Sequence, residues 1–335
     1  MSLGNSSGND YAVETVGLVR RFGSVNAVDG IDLAVPHGEV YGFLGPNGAG
    51  KSTVVRMLTT LLLPTAGSAR VAGFDVVRSA DDVRLRIGAA LQDAALDGKQ
   101  TGRELLRLQA NLYGIRGKAA RRRVEELASL VDIGDALDRF IEGYSGGMKR
   151  RLDLAAALVH NPRILFLDEP TTGLDPISRS RVWEEVRRIN AELGMTIFLT
   201  TQYMEEADQL AERVGIINQG RMVAEGPPGE LKRSVGSDVI LVTLEGDSAG
   251  AEAACLRTAG VTSVSVHGNE MAVSVVNGAS VVGPVAIALN ECGATVRQIT
   301  LRTPTLDDVF LHYTGARMEE EAEQRGDAAP EEATA

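Results

Sequence analysis

The sequence predicts an α/β domain built on a largely parallel sheet, interrupted by a helical subdomain and followed by a small α+β domain. Three observations carry that prediction. The short runs 40–44, 164–167 and 196–199 are apolar on both faces. Strands covered on both sides of a parallel sheet look like this, and the runs alternate with amphipathic stretches of helical length. Between about Asp93 and His160 such runs vanish and helical periodicity replaces them, as in 103–112 and 119–131. After Gly236 the order becomes strand 239–244, helix 250–259, strands 261–266 and 271–275, helix 280–291 and strand 295–301. That βαββαβ order is the split-βαβ, ferredoxin-like arrangement. The chain therefore divides into residues 1–10, expected to be disordered, and a domain at 11–235 with its helical subdomain at about 93–160. A C-terminal α+β accessory domain at 237–315 and an acidic, disordered tail at 316–335 complete it.

Composition narrows the functions open to such a chain. Its 335 residues, 44% of them hydrophobic, supply core material for one large domain and a smaller one. Basic side chains number 34 against 45 acidic, a formal net charge of −11. Residues 318–335 alone carry −6, which leaves −5 for residues 1–317. A binder of phosphate backbones needs a basic face, so nucleic acid is not an expected partner. Cys255 and Cys292 match no metal or redox spacing and read as two buried, reduced thiols. Residues 1–10 have neither the basic start nor the apolar stretch of a signal peptide. No apolar run approaches the ~18 residues that cross a bilayer. The chain is expected to be soluble by itself, and any membrane role is peripheral.

The first element that carries chemistry is Gly45-Pro46-Asn47-Gly48-Ala49-Gly50-Lys51-Ser52-Thr53. It fits G-x-x-x-x-G-K-[ST] and stands between a buried strand and an apolar helical stretch at 54–63, where that motif belongs. Glycines let the main chain curl so that successive N–H groups point at phosphate oxygens. The following helix presents its positive end to the same oxygens. Lys51 then neutralises the β- and γ-phosphates of ATP, and the Ser52 hydroxyl ligates Mg²⁺. An ordinary glycine-rich turn would not need this setting.

The second element is Ile164-Leu165-Phe166-Leu167-Asp168-Glu169. Four apolar residues make a buried strand that carries two carboxylates at its C-terminal end, where ligands of open α/β sheets sit. Asp168 is placed to hold Mg²⁺, directly or through water, and Glu169 to polarise the attacking water. Alone, the same pattern describes a solvated strand end. The phosphate loop gives it weight.

The third element is Tyr144-Ser145-Gly146-Gly147-Met148-Lys149-Arg150, which opens a helix over 148–159. Ser145 is a natural N-cap, and Gly146 and Gly147 leave main-chain N–H groups open to an anion. Isolated, such a segment is a common turn. Here it resembles the signature sequence of ATP-binding cassette (ABC) proteins, with Tyr144 for the usual first leucine and Met148 for the usual glutamine.

The resemblance covers residues 11 to about 235, with its landmarks in order. Gln92 matches the Q-loop glutamine at the edge of the helical insert, which implies contact with the nucleotide and its Mg²⁺. Pro170-Thr171-Thr172-Gly173-Leu174-Asp175-Pro176 matches the D-loop region and brings in Asp175. Phe22 stands where the family places an aromatic that stacks on adenine, although a core aromatic would fit the position equally well. In ABC proteins two cassettes pair head to tail, and each signature helix binds the γ-phosphate held by the other phosphate loop. One cassette per chain implies pairing with a second copy or a related cassette, and a two-fold pair yields two composite sites.

One departure bears on catalysis. The family's switch histidine is replaced in Leu199-Thr200-Thr201-Gln202-Tyr203-Met204 by Gln202, and none of His37, His160, His267 and His312 stands at that position. Glutamine can donate a neutral hydrogen bond but cannot carry charge. Gln202 either weakens the site or suffices in it, and with Glu169 in place an active site is expected.

Gln202, Met148 and Pro304-Thr305-Leu306-Asp307-Asp308-Val309-Phe310 together resemble the daunorubicin-resistance type of drug-exporter ATPase subunit. That resemblance implies a peripheral ATPase at the cytoplasmic face of the cell membrane, docked on a separate transmembrane permease subunit. The cargo would be drugs or other amphipathic compounds. The helical insert and the Gln92 region would receive the permease. Residues 304–310 also read as a helix that packs Leu306, Val309 and Phe310 back onto the protein. Two rivals stay open. A soluble, non-transport ABC ATPase usually carries two cassettes or a long coiled-coil insertion. A nucleotide-binding module without turnover has only Gln202 in its favour.

Overall fold

A computed structural model describes residues 11–91, 96–245 and 250–314. The chain forms two compact units that meet between Pro228 and Gly229. The first unit begins with β1 (Tyr11–Phe22), β2 (Val25–Pro36), β3 (Val40–Leu44), α1 (Lys51–Leu58), β4 (Ala66–Val71) and β5 (Phe74–Asp75). It continues through α2 (Ala80–Arg84), β6 (Ile87–Ala90), α3 (Gly102–Leu112), α4 (Gly117–Leu130) and α5 (Gly146–Ala157). Then come β7 (Ile164–Asp168), α6 (Pro176–Leu193), β8 (Thr196–Thr201), α7 (Met204–Leu210), β9 (Arg213–Asn218) and β10 (Arg221–Gly226). Helix α8 (Pro228–Val235) spans the boundary.

The central sheet has the order β10-β9-β3-β8-β7-β6 and is parallel throughout except for the edge strand β10. Every residue of β3, β7 and β8 is buried, which explains runs that are apolar at both parities. Tyr41, Phe43, Phe166 and Phe198 join a core with α1 and the first strands, whereas Leu165, Leu167, Ile197 and Leu199 join a core with α3 to α6. Phe198 is the hub of the first core, with its ring centroid 5.4–5.6 Å from those of Tyr41, Phe43 and Phe166. Phe198→Ala is expected to destabilise this unit by about 3–5 kcal/mol, the effect of emptying a core aromatic site. Trp183, the one tryptophan, lies in the same unit. Its fluorescence during urea unfolding measures the loss.

A second, antiparallel sheet of order β2-β1-β4-β5 covers the first core. A single largely parallel sheet does not anticipate it. The reason is physical. Strand β4 reads Ala-Gly-Ser-Ala-Arg-Val, without an apolar run, and it pairs with β1 across a long sequence separation, Val13 opposite Val71. Between β6 and β7 the described residues form helices and short 3₁₀ turns, with one isolated bridge from Thr101 to Phe140. Helix α3 starts where Thr101 and Glu104 form a capping box.

The second unit contains β11 (Asp238–Glu245), α9 (Ala251–Leu256), β12 (Val261–His267), β13 (Glu270–Val275), α10 (Gly278–Glu291), β14 (Thr295–Arg302) and α11 (Leu306–Thr314). Its sheet order, β12-β13-β11-β14 with every pair antiparallel, is the split-βαβ arrangement. Ile240, Val242, Met271 and Val273 pack there with Val281, Val285 and Leu289. Both cysteines are free thiols, but only Cys255 is buried. Burial pushes its pKa up to about 11. Cys292 is half-buried because it caps the C-terminal end of α10, so the expectation of two buried thiols holds for one of them. Leu306, Val309 and Phe310 are the buried residues of α11. Among the described residues no helix is long and apolar enough to cross a membrane.

Candidate functional site

Because β3 lies beside β8 and β8 beside β7, the C-terminal ends of all three strands lie together. The loop Gly45–Thr53 leaves β3, Asp168 and Glu169 leave β7, and Gln202 leaves β8. Gly45 donates its N–H to the Thr201 carbonyl at 3.3 Å, which fixes the root of the loop. A side chain at Gly45 would place its Cβ 2.4 Å from the Ile217 carbonyl oxygen, so no other residue fits that root. Gly50 caps α1 with φ at +110°, and a Cβ there would meet the Ala27 carbonyl oxygen at 2.4 Å. Pro46 and Ala49 are buried, whereas Asn47 and Gly48 are exposed at the tip. The helix begins at Lys51 and ends at Leu58, not Leu63. Thr60, just past its end, takes a left-handed φ of +65°.

Lys51 is 4% exposed, and its three ammonium donors all have acceptors. They are the carbonyls of Gly45 at 2.7 Å and Pro46 at 3.1 Å, and the Glu169 carboxylate at 3.3 Å. Burial lowers the Lys51 pKa, and the charges of Glu169 and Asp168 oppose that shift. Asp168 accepts from Ser52 Oγ at 3.2 Å and from Thr200 Oγ1. These are hard oxygen donors on neighbouring elements. Thr53 follows in the first turn of α1, half-buried.

Glu169 is buried and has a left-handed backbone, with φ at +49°. A non-glycine residue is held there only when its surroundings over-determine it. Thr200 supplies part of that constraint, accepting the Glu169 N–H on both its carbonyl and its hydroxyl at 3.1 Å. Thr172 Oγ1 donates to the Glu169 carboxylate at 3.2 Å. Thr200 escaped the sequence reading. Its only signal is a hydroxyl residue in a fully buried strand, a signal it shares with Thr196 and Thr201.

A second group lies at the start of α5. The helix begins at Gly146, two residues before the expected Met148, because Ser145 Oγ accepts the Met148 N–H at 3.3 Å and caps it. Ser145 and Gly146 are exposed and Gly147 is buried. A Cβ at Gly147 would lie 3.0 Å from Ser178 Oγ. Ser178 in turn donates to Asp175, whose carboxylate also caps α6 by accepting the N–H groups of Ile177 and Ser178. Tyr144, in place of the usual leucine, donates its hydroxyl to the Ala136 carbonyl at 2.6 Å and so anchors the turn to the helical subdomain. Among the described residues no hydrogen bond joins Ser145, Gly146 or Gly147 to the phosphate loop.

Three candidates remain. Gln92 lies outside the described residues. Gln202 is half-buried in the bend between β8 and α7. Phe22, at the end of β1, is 47% exposed with the Arg20 guanidinium 4.5 Å over its ring. It is no core aromatic. An open aromatic face suits stacking on a flat base.

Comparison with known proteins identifies the family. A family model described as "ABC transporter" matches residues 28–172, and one described as "ATP-binding protein DrrA1-3-like, C-terminal domain" matches residues 226–314. The chain is 48% identical over 307 residues to the daunorubicin resistance ATP-binding protein DrrA3 of Streptomyces coeruleorubidus, covering 91% of this chain and 96% of that one. It is also 48% identical over 307 residues to the daunorubicin/doxorubicin resistance ATP-binding protein DrrA of Streptomyces peucetius, covering 91% and 92%. Among solved structures, cbiO1 of Clostridium perfringens, part of the cbiONQ ABC transporter complex, superposes with a TM-score of 0.62 at 28% identity. It covers 66% of this chain and 90% of that one.

Proposed function

The chain belongs to the ATP-binding subunits of ABC transporters, ATPases with a phosphate-loop fold, and on that premise we propose that it powers a membrane exporter of drugs or other amphipathic compounds. It works at the cytoplasmic face of the membrane as a head-to-tail pair of cassettes docked on separate transmembrane subunits. The observation that carries the proposal is the buried cluster of Lys51, Ser52, Asp168 and Glu169 beneath the loop Gly45–Thr53. The resistance-protein relatives along nearly the whole chain support export as its purpose.

Lys51 is paired with Glu169 at 3.3 Å. A triphosphate entering the loop offers Lys51 a stronger anion. Lys51 turns to the β- and γ-phosphates, and Glu169 is released to take a proton from water as general base. The hydroxyl of Ser52 and the carboxylate of Asp168 suit Mg²⁺, with Gln92 as a further ligand. When bound, the metal neutralises charge that develops on the phosphate oxygens. Phe22 stacks on adenine. Ser145, Gly146 and Gly147 present the N-terminus of α5 to the γ-phosphate held by the other cassette, and the exposure of Ser145 and Gly146 in the single chain supports that role. Asp175 shapes the same surface by capping α6.

Gln202 donates a neutral hydrogen bond to the γ-phosphate or the attacking water. Such a bond contributes about 0.5–1.5 kcal/mol. Gln202→Ala is therefore expected to slow turnover by roughly 10-fold, less than any loss of Glu169. Unchanged kcat in the assembled transporter would make the residue a bystander. The proposal as a whole is tested by purifying the chain from membranes with its permease and measuring ATP turnover with and without candidate amphipathic drugs. Stimulation is expected. An unstimulated ATPase that never co-purifies with a membrane protein would contradict export.

A further inference from the structure

We infer that Arg150 is a positioning residue for ATP hydrolysis, holding the backbone of Glu169 in place and tying it to the signature helix α5. The inference rests on the ATPase reading above. A guanidinium has five N–H donors in a rigid planar fork and no acceptor. All five of Arg150's are matched. Nε donates to the Pro170 carbonyl at 3.0 Å. Nη1 donates to the Leu91 carbonyl at 2.9 Å and to Asp153 at 3.3 Å. Nη2 donates to the Asp168 carbonyl at 3.0 Å and, more weakly, to the Ala90 carbonyl at 3.5 Å. The side chain is 11% exposed.

What these acceptors have in common is their place. The carbonyls of Asp168 and Pro170 flank Glu169, the residue with the left-handed backbone. Thr200 grips the Glu169 N–H from the β8 side, and Arg150 grips the carbonyls on either side of it from α5. Together they over-determine a conformation that a glutamate would otherwise leave, and so aim its carboxylate. The other two carbonyls are those of Ala90, which ends β6, and of Leu91, which follows it. One side chain thus joins the helix that begins at Gly146 to the ends of β6 and β7. A movement of α5 is transmitted to Glu169.

Arg151, its neighbour, provides the contrast. It is also buried, but it donates only to Val131 and Asp132, at the end of α4 within the helical subdomain. Lysine at either position keeps the charge and loses the fork.

The test uses the full chain and four measurements. ATP affinity is read by titration with a non-hydrolysable ATP analogue and Mg²⁺, kcat and KM by phosphate release, and folding by Trp183 fluorescence. Arg150→Lys is expected to lower kcat by roughly 10–100-fold, the effect of misplacing a catalytic group by about 1 Å. Nucleotide affinity should stay within about threefold, because the phosphates are held by a loop that Arg150 does not touch. Arg150→Gln runs in parallel, since a neutral side chain avoids stranding an ammonium there. Arg151→Lys should change kcat less than threefold. The discriminating readout is the Glu169→Gln background. If Arg150 acts through the Glu169 carboxylate, replacing it there adds almost nothing to the loss, whereas a general structural role multiplies the two effects. Wild-type kcat in either folded Arg150 variant, or the full extra loss in that background, overturns the inference. A wild-type chain without turnover would instead strike the ATPase reading and take this inference with it.

Discussion

Glu169→Gln is expected to cut ATP turnover by roughly 10²–10⁴-fold while leaving ATP binding intact, the effect of removing a general base. The amide has nearly the shape of the carboxylate, so the contact with Thr172 and the grip of Thr200 on the main chain survive. What is lost is the capacity to take a proton. The variant should bind ATP at least as tightly as wild type, because the Glu169 carboxylate competes with the phosphates for Lys51. Wild-type Lys51 must leave a carboxylate 3.3 Å away to meet the phosphates, and the variant's Lys51 has no such anion to leave. Phosphate release under single-turnover conditions, beside an equilibrium titration, separates the two effects. Turnover within tenfold of wild type would mean that another group takes the proton.

Lys51→Ala is expected to abolish ATP binding or nearly so. Glu169 and the loop carbonyls gather the Lys51 ammonium at this place, and without it the β- and γ-phosphates would enter a buried site that already holds Asp168 and Glu169. Two carboxylates without their cation repel a polyanion. The substitution also breaks the buried Lys51–Glu169 ion pair, a loss of about 3–5 kcal/mol. Folding must therefore be verified by Trp183 fluorescence before the titration. The double variant Lys51→Ala with Glu169→Gln removes the carboxylate of that broken pair as well and should still fail to bind. Wild-type affinity in either variant would place the nucleotide elsewhere.

Much of this site was legible because its geometry is local. A loop that must root where Gly45 meets the Ile217 carbonyl and turn where Gly50 takes φ at +110° can be written with few residue types, so the motif betrays it. The same holds for the strand ending in Asp168 and for the alternation that exposes the C-terminal βαββαβ order. What the sequence concealed is long-range. The sheet of β1, β2, β4 and β5 depends on pairing between distant segments, one of them without an apolar run. Thr200 and Arg150 act through main-chain groups of other elements, and acceptors of that kind leave no mark on the sequence. Phe22 was ambiguous until its exposure was known. Asp153 reads as an ordinary helix residue, yet burial beside Arg150 pushes its pKa up to about 6.

In the proposed mechanism the phosphate loop and the signature turn are two halves of one ATP site, completed between two cassettes and emptied by hydrolysis at Glu169. The most direct measurement is the mass of the Glu169→Gln chain by light scattering behind a sizing column, with and without ATP and Mg²⁺. The account predicts the single-chain mass without nucleotide and twice that mass with ATP, and Ser145→Arg in the same background should remain single under both conditions. Glu169→Gln that stays single at saturating ATP, in a chain shown by titration to have bound it, would contradict the account.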